Sequence, residues 1–422
     1  MKKFFSAGVL ALALICPAGA AEFKGSVYSE TAYASLDRGS TLNPGNSYDL
    51  DHFRFYNRGS LTAKDSFNEY IKGLISLEGL YIPQDIDPAR RSLTQLKIKE
   101  LYVDLSASSL SARIGKQYIK WGSGTFFNPS SDILNHRRNP LRPLAEAEGN
   151  RFAHVTAPLG SSGLTAELAV IQSDEHRTGL RAVEDFAVVP KLSFSTGSLS
   201  GFVLAEMQQH AGPLYGTALD YVCSAGQFTD LDFFMESQVK TYTKRYVVEP
   251  GRYGYTAQKQ SGDSFFLFVG GARLQHSLPE ASWLDGISLL FEYYFDTENW
   301  TRRDYKRYLD AAKDIHDMQG LQGSSLQYTT GQLAESFHNS RHYVYGGVLL
   351  SSLFMRDFYV LNSAVFNMED GGFIWIPDMY YTFNNQNATV GLRSYCFFGR
   401  NNSEFGSAPL HYQAMAYLEL SF

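Results

Sequence analysis

Residues 287–296 read Ile-Ser-Leu-Leu-Phe-Glu-Tyr-Tyr-Phe-Asp. Ile287, Leu289, Phe291, Tyr293 and Phe295 share one parity, while Ser288, Glu292 and Asp296 share the other. Successive side chains of a strand point to opposite faces, so this stretch reads as a strand with one face for lipid and one for water. Residues 229–238 repeat the pattern: Leu231, Phe233 and Met235 oppose Asp230, Asp232, Glu236 and Gln238. Outward from these two stretches, the chain breaks into segments of about 10 to 14 residues with partial alternation, which is the signature of a transmembrane barrel.

The connections alternate in length. Short polar turns are expected near 62–67, 106–109, 159–163, 195–198, 224–228, 355–357 and 383–386. Longer loops are expected at 36–50, 81–92, 122–150, 173–185, 242–263 and 298–341. Barrels of the outer membrane put short turns on the periplasmic side and long loops outside. The reading is all-β: one transmembrane antiparallel β-barrel of about eighteen strands, an even number, with long external loops and both termini periplasmic. Strands are expected from 23–36 through 52–63, 67–81, 93–106 and 110–121 to 410–422. Residues 305–318 have helical spacing and charge, and predict a surface helix inside the long loop 298–341.

Bulk composition agrees. The 422 residues include only 19% charged and 14% aromatic side chains, and the mean hydropathy of -0.22 is too polar for a helical membrane protein. A net charge of -6 offers no basic excess for nucleic acid. Lys2 and Lys3 precede an apolar run to Cys16, then Pro17-Ala18-Gly19-Ala20. Residues 1–20 therefore read as a secretory signal peptide, leaving 21–422 as a single barrel domain. Cys223 and Cys396 remain and are expected to be unbonded, Cys223 near the periplasmic end of the tenth strand and Cys396 near the external end of the seventeenth.

One long connection carries most of the functional signal. Residues 122–150 hold Gly122, Gly124, Pro129, Pro140 and Pro143, which argue against a strand or long helix. They mix Phe126 and Phe127 with Asp132, Arg137, Arg138 and Arg142. Candidate pore and constriction residues are Arg113, Lys116, Gln117, Trp121, Asn128, Asp132, Arg137, Arg138, Arg142, Glu292 and Asp296. Charged rings of this kind tune which solutes pass. Further candidates for the lumen wall are Glu78, Glu167, Asp230, Asp232, Glu419, Lys72, Lys191 and Arg393. Alternation shifts parity in two places, which predicts bulges at Lys99–Glu100 and around Gly115.

Residues 411–422, His-Tyr-Gln-Ala-Met-Ala-Tyr-Leu-Glu-Leu-Ser-Phe, resemble the sorting signal of Gram-negative outer-membrane proteins. That resemblance implies recognition by the barrel-assembly machinery through the strand ending in Phe422. The loop 122–150 is the third external one in this reading and resembles the third loop of porins, which folds inward. Residues 113–122 with Asn128-Pro129 and Asp132–Asn135 resemble a segment of a poorly characterised barrel group similar in size to alginate-export channels.

Three readings follow. The first is a channel for small polar or charged solutes, narrowed by 122–150, in contact with outer-membrane lipid and a small-molecule solute and needing no cofactor. The second is a specialised exporter or importer of an extended or partly apolar molecule, with Trp121, Phe126 and Phe127 as its track. The third is a surface-binding barrel. No enzyme is expected: His338 and Ser340 have the spacing of outer-membrane phospholipases, but Arg341-His342 stands where that family has Asn-Gly.

Overall fold

The computed structural model describes residues 21–46, 50–82, 93–135, 149–160, 163–172, 186–208, 211–243, 245–251, 254–259, 262, 264–279, 283–317, 340–383 and 387–422. The proposed signal peptide and residues Arg137, Arg138, Arg142 and His338 lie outside the described residues.

The strands of the first half are β1 (Glu22–Leu36), β2 (Phe53–Ser66), β3 (Ile71–Ile82), β4 (Leu93–Ala107), β5 (Leu110–Gln117), β6 (Asn150–Pro158), β7 (Leu164–Gln172), β8 (Phe186–Thr196), β9 (Leu199–Gln208), β10 (Leu214–Ser224) and β11 (Thr229–Lys240). After them come β12 (Tyr246–Gly251), β13 (Gly254–Lys259), β14 (Phe265–Ser277), β15 (Gly286–Asp296), β16 (His342–Ser351), β17 (Phe358–Asn367), β18 (Phe373–Phe383), β19 (Ala388–Phe398) and β20 (Leu410–Ser421). All but β12 and β13 form one 18-stranded antiparallel sheet. The sheet closes because β1 pairs with both β2 and β20. At this seam Ser26 faces Ser421, and the main chains of Gly25 and Phe422 exchange two hydrogen bonds of 2.8 and 3.0 Å. A closed sheet leaves no unpaired edge, which is what lets strands cross a bilayer.

Alternation decides the two faces. Phe233, Met235, Leu289 and Phe291 are exposed on the outer surface, whereas Glu236 and Glu292 on the same strands are buried inside. Cys223 and Cys396 are free, and each lies in the last few residues of its strand.

The strand count of eighteen agrees with the sequence, and several boundaries differ for local reasons. The first short turn occupies 67–70 rather than 62–67, because the Asn68 side chain accepts from the amides of Tyr70 and Ile71, both at 2.8 Å. Asn at such a position nucleates a turn in this way. Strand β5 stops at Gln117 rather than 121. Ile119 pairs its amide and carbonyl with the side chain of Asn135 (3.3 and 2.7 Å) instead of with a strand. The bulge falls at Lys99 as expected, since Ser76 faces Glu100 and Leu77 faces Ile98. Gly115 is in regular register with Tyr102 and Phe152, so no bulge forms there. Its irregularity is a φ of 136°, and a Cβ would lie 2.1 Å from the Leu101 carbonyl oxygen. The long connection 242–263 is not plain loop: β12 and β13 pair as a separate hairpin. The expected surface helix spans Arg302–Asp317.

Candidate constriction loop

The chain leaves β5 and turns inward. Trp121 is buried among Phe152, Ile171, Val189, Phe202, Leu204 and Leu214, all on the inner face of the wall, with Leu134 of the loop beside it. The Lys191 ammonium sits 4.6 Å from the centre of the Trp121 ring. Six residues, Pro129–Leu134, form a helix. Asn128 caps it by accepting from the Ser131 amide at 3.0 Å, and Pro129 at the first position loses no hydrogen bond. The Ser131 hydroxyl then pins Trp121, donating to its carbonyl at 2.7 Å.

Between Trp121 and this helix the main chain wraps around two wall carboxylates. Glu236 on β11 accepts from the amides of Ser123 (3.1 Å), Gly124 (3.1 Å) and Ser130 (3.2 Å). Glu292 on β15 accepts from the amides of Thr125 (2.6 Å), Phe126 (3.0 Å) and Phe127 (2.9 Å). Arg273 on β14 braces the same segment, donating to the Ser123 carbonyl and the Thr125 hydroxyl, both at 2.9 Å. Its other arm pairs with Asp232 at 2.6 Å. The Ser123 hydroxyl donates to Asp220. Phe126 stacks on Tyr345 (4.4 Å between centroids) and Phe127 on Tyr294 (4.8 Å). The approach is close enough that only glycine fits at 122: φ is 76°, and a Cβ would lie 2.2 Å from a Glu236 oxygen. Every anchor named here is an inward-facing wall residue, so this part of the loop lies inside the barrel.

The residues singled out in the sequence are distributed unevenly around this site. Lys120, Thr125 and Asp132 are exposed. Arg113 faces inward and is held by Asp104 through a bidentate pair (2.5 and 3.0 Å), 4.0 Å above the Tyr102 ring. Gln117 is fully buried and donates to the Phe152 carbonyl at 3.0 Å. Asn128 is a helix cap. Glu292 and Asp296 are buried; Asp296 accepts from the Glu298 amide (2.8 Å) and the Tyr294 hydroxyl (3.0 Å). They bind neighbouring groups rather than facing water. Lys116 corrects the reading outright: it pairs with Leu101 and shares parity with Ile114, which are 44% and 53% exposed on the outer surface. Its ammonium reaches the Ile98 carbonyl at 2.8 Å, so Lys116 does not line the lumen.

The wall charges form mixed pairs: Lys97–Glu78 (3.0 Å), Lys191–Glu167 (2.7 Å) and Arg393–Asp378 (2.5 Å). His154 also reaches Glu167 at 3.0 Å. Glu236, Arg273 and Asp220 are absent from the candidate residues read in sequence. Glu236 stands in the alternating stretch 229–238, but nothing local says that a segment more than a hundred residues earlier will close on it.

No family model and no curated protein matches the chain. Solved structures do resemble it. OccAB1 of Acinetobacter baumannii superposes with a TM-score of 0.58 at 11% identity, covering 95% of this chain and 96% of that one. OccK2 (OpdF) of Pseudomonas aeruginosa, solved in complex with glucuronate, gives 0.55 at 8% identity over 96% and 98%. A BenF-like porin from Pseudomonas fluorescens Pf-5 gives 0.55 at 9% identity over 96% and 99%. At such identities the likeness establishes the fold: a closed porin-type barrel over nearly the whole chain.

Proposed function

We propose that this chain is an outer-membrane channel that passes small polar or charged solutes through a lumen narrowed by residues 118–135. The observation that carries the reading is the loop itself, drawn inside the barrel and bonded to the inner wall at β10, β11, β14 and β15. A segment held there reduces the open cross-section, and its exposed side chains, Thr125 and Asp132, meet whatever passes. The mixed ion pairs of the wall favour general passage of polar solutes over sharp charge selection. The structural neighbours are porins, and one of them holds the small anionic sugar glucuronate. In this reading residues 1–20 direct export, the strand ending in Phe422 engages the barrel-assembly machinery, and both ends of the barrel chain face the periplasm. The protein is then a transport channel and not an enzyme.

The aromatic-track reading is less well supported. Trp121 and Phe127 are buried against the wall, and Phe126 is stacked on Tyr345, so these rings are spent on holding the loop.

Planar-bilayer recording tests the proposal. The folded protein should give discrete conductance steps, and steps should grow when residues 123–149 are replaced by a short flexible linker. No steps from either form would leave a surface-binding role.

A further inference from the structure

We infer that Glu236 and Glu292 are the positioning residues that set the aperture of this lumen, by gripping the loop through its main chain. The aperture part of the inference rests on the channel reading above; the position of the loop does not.

The argument starts from backbone accounting. Residues 122–128 belong to no helix or strand, so their amides have no regular partners. Inside a barrel such donors must find acceptors. Six loop amides do so on just two carboxylates, three on each. Each carboxylate offers about four lone-pair sites, so three donors nearly saturate it, and charge-assisted bonds are the stronger kind. The two grips are sequential along the loop. Glu236 takes both sides of the turn, at 123–124 and 130, and Glu292 takes the 125–127 segment between them. Because the donors are main-chain groups, the grip does not depend on which side chains the gripped residues carry. Thr125 adds a side-chain brace of its own, its hydroxyl accepting from Arg273 at 2.9 Å. Exchanging Glu236 or Glu292 moves the loop without altering the charge exposed to solute, since both carboxylates are buried.

The test separates position from transport. In a background with Cys223→Ser and Cys396→Ser, Ser130→Cys serves as a reporter, because Ser130 is fully buried beside Glu236. Reaction with a charged maleimide is timed on the folded, detergent-solubilised protein, and single-channel steps are recorded on the same samples. Glu236→Gln and Glu292→Gln each remove the charge and replace one acceptor oxygen with an NH2 donor that faces loop donors. The expected result is labelling at least about tenfold faster than in the parent, with larger or noisier steps, as local opening becomes more populated. Glu419→Gln, an inward carboxylate on β20, should label at the parent rate. Should a Gln variant fail to give the heat-modifiable folded band, Glu236→Asp and Glu292→Asp keep the charge with a shorter reach and should give intermediate rates. Parent-like labelling in the folded Glu236 and Glu292 variants would overturn the inference. Fast labelling with unchanged steps would uphold the grip on the loop and overturn the view that the loop limits conduction.

Discussion

The loop at 121–135 and the cap at 298–317, which packs on the β12–β13 hairpin, both leave the strands, and they are held in different ways. The loop adds direction to its buried rings: amides aimed at two carboxylates, a capped six-residue helix, and a glycine in a left-handed conformation. The cap is held by area. Trp300, Tyr305, Tyr308, Leu309 and Ala311 are buried together with Val248 of the β12–β13 hairpin. Its polar contacts lie around that apolar centre: Tyr305 with Ser407, and Arg307 with Glu249 at 2.7 Å. A structure held by aimed bonds is sensitive to single atoms and tolerant of volume changes elsewhere, whereas one held by apolar area responds mainly to lost volume.

The comparison can be broken most directly at Trp300. Trp300→Ala should cost the cap about 3–5 kcal/mol, as other large-to-small core changes do. Limited proteolysis should then cut within 302–317, while the Ser130→Cys reporter stays protected. If that reporter becomes reactive as well, the two regions are one unit and the contrast fails. Gly122→Ala should cost the loop at least about 1–2 kcal/mol for the left-handed backbone alone, with the Glu236 contact adding to it. Its signature is noisy conductance with an intact cap. Asn128→Ala removes the helix cap and should cost about 1 kcal/mol, visible as a modest rise in reporter labelling.

The smallest effect should come from acid. Burial opposes ionisation of Glu298, but the charge and hydrogen bond of Lys240, the Thr243 hydroxyl and nearby Arg245 outweigh it and hold its carboxyl below the usual range. With the folded value depressed, the stabilising contribution is fully present above the unfolded value of about 4.3 and is lost as pH falls through the folded value. Thermal melts of parent and Glu298→Gln should therefore differ at pH 7 and converge as the solution is acidified below pH 4. A gap that persists at low pH would assign the residue's role to packing.

Much of the wall was legible in the sequence because it is a local property. Alternation in 287–296 and 229–238 predicted which side chains face out, and turn residues set the strand count. What was illegible depends on partners far away in the chain. Glu292 and Asp296 looked like lumen charges because parity gives the side of a wall and not what lies against it. The parity of Lys116 is ambiguous beside an expected bulge at Gly115, and the structure instead keeps register there through a positive φ, which turns Lys116 outward. The hairpin at 246–259 leaves no such trace, because a two-stranded ribbon outside the wall needs no lipid-facing stripe.

The seam between β1 and β20 has a consequence for the order of the chain. Apart from that seam, each ladder of the wall joins strands that follow one another, with only the β12–β13 hairpin interposed between β11 and β14. Gly25 and Phe422 meet on the same rim and are bonded to each other. The wall is thus cyclic in space, and where numbering starts on it is an arbitrary cut. A circular permutant that links these two ends by a few residues and opens at the turn 225–228 would contain every ladder of the parent. Its closing seam would simply move to β10 and β11.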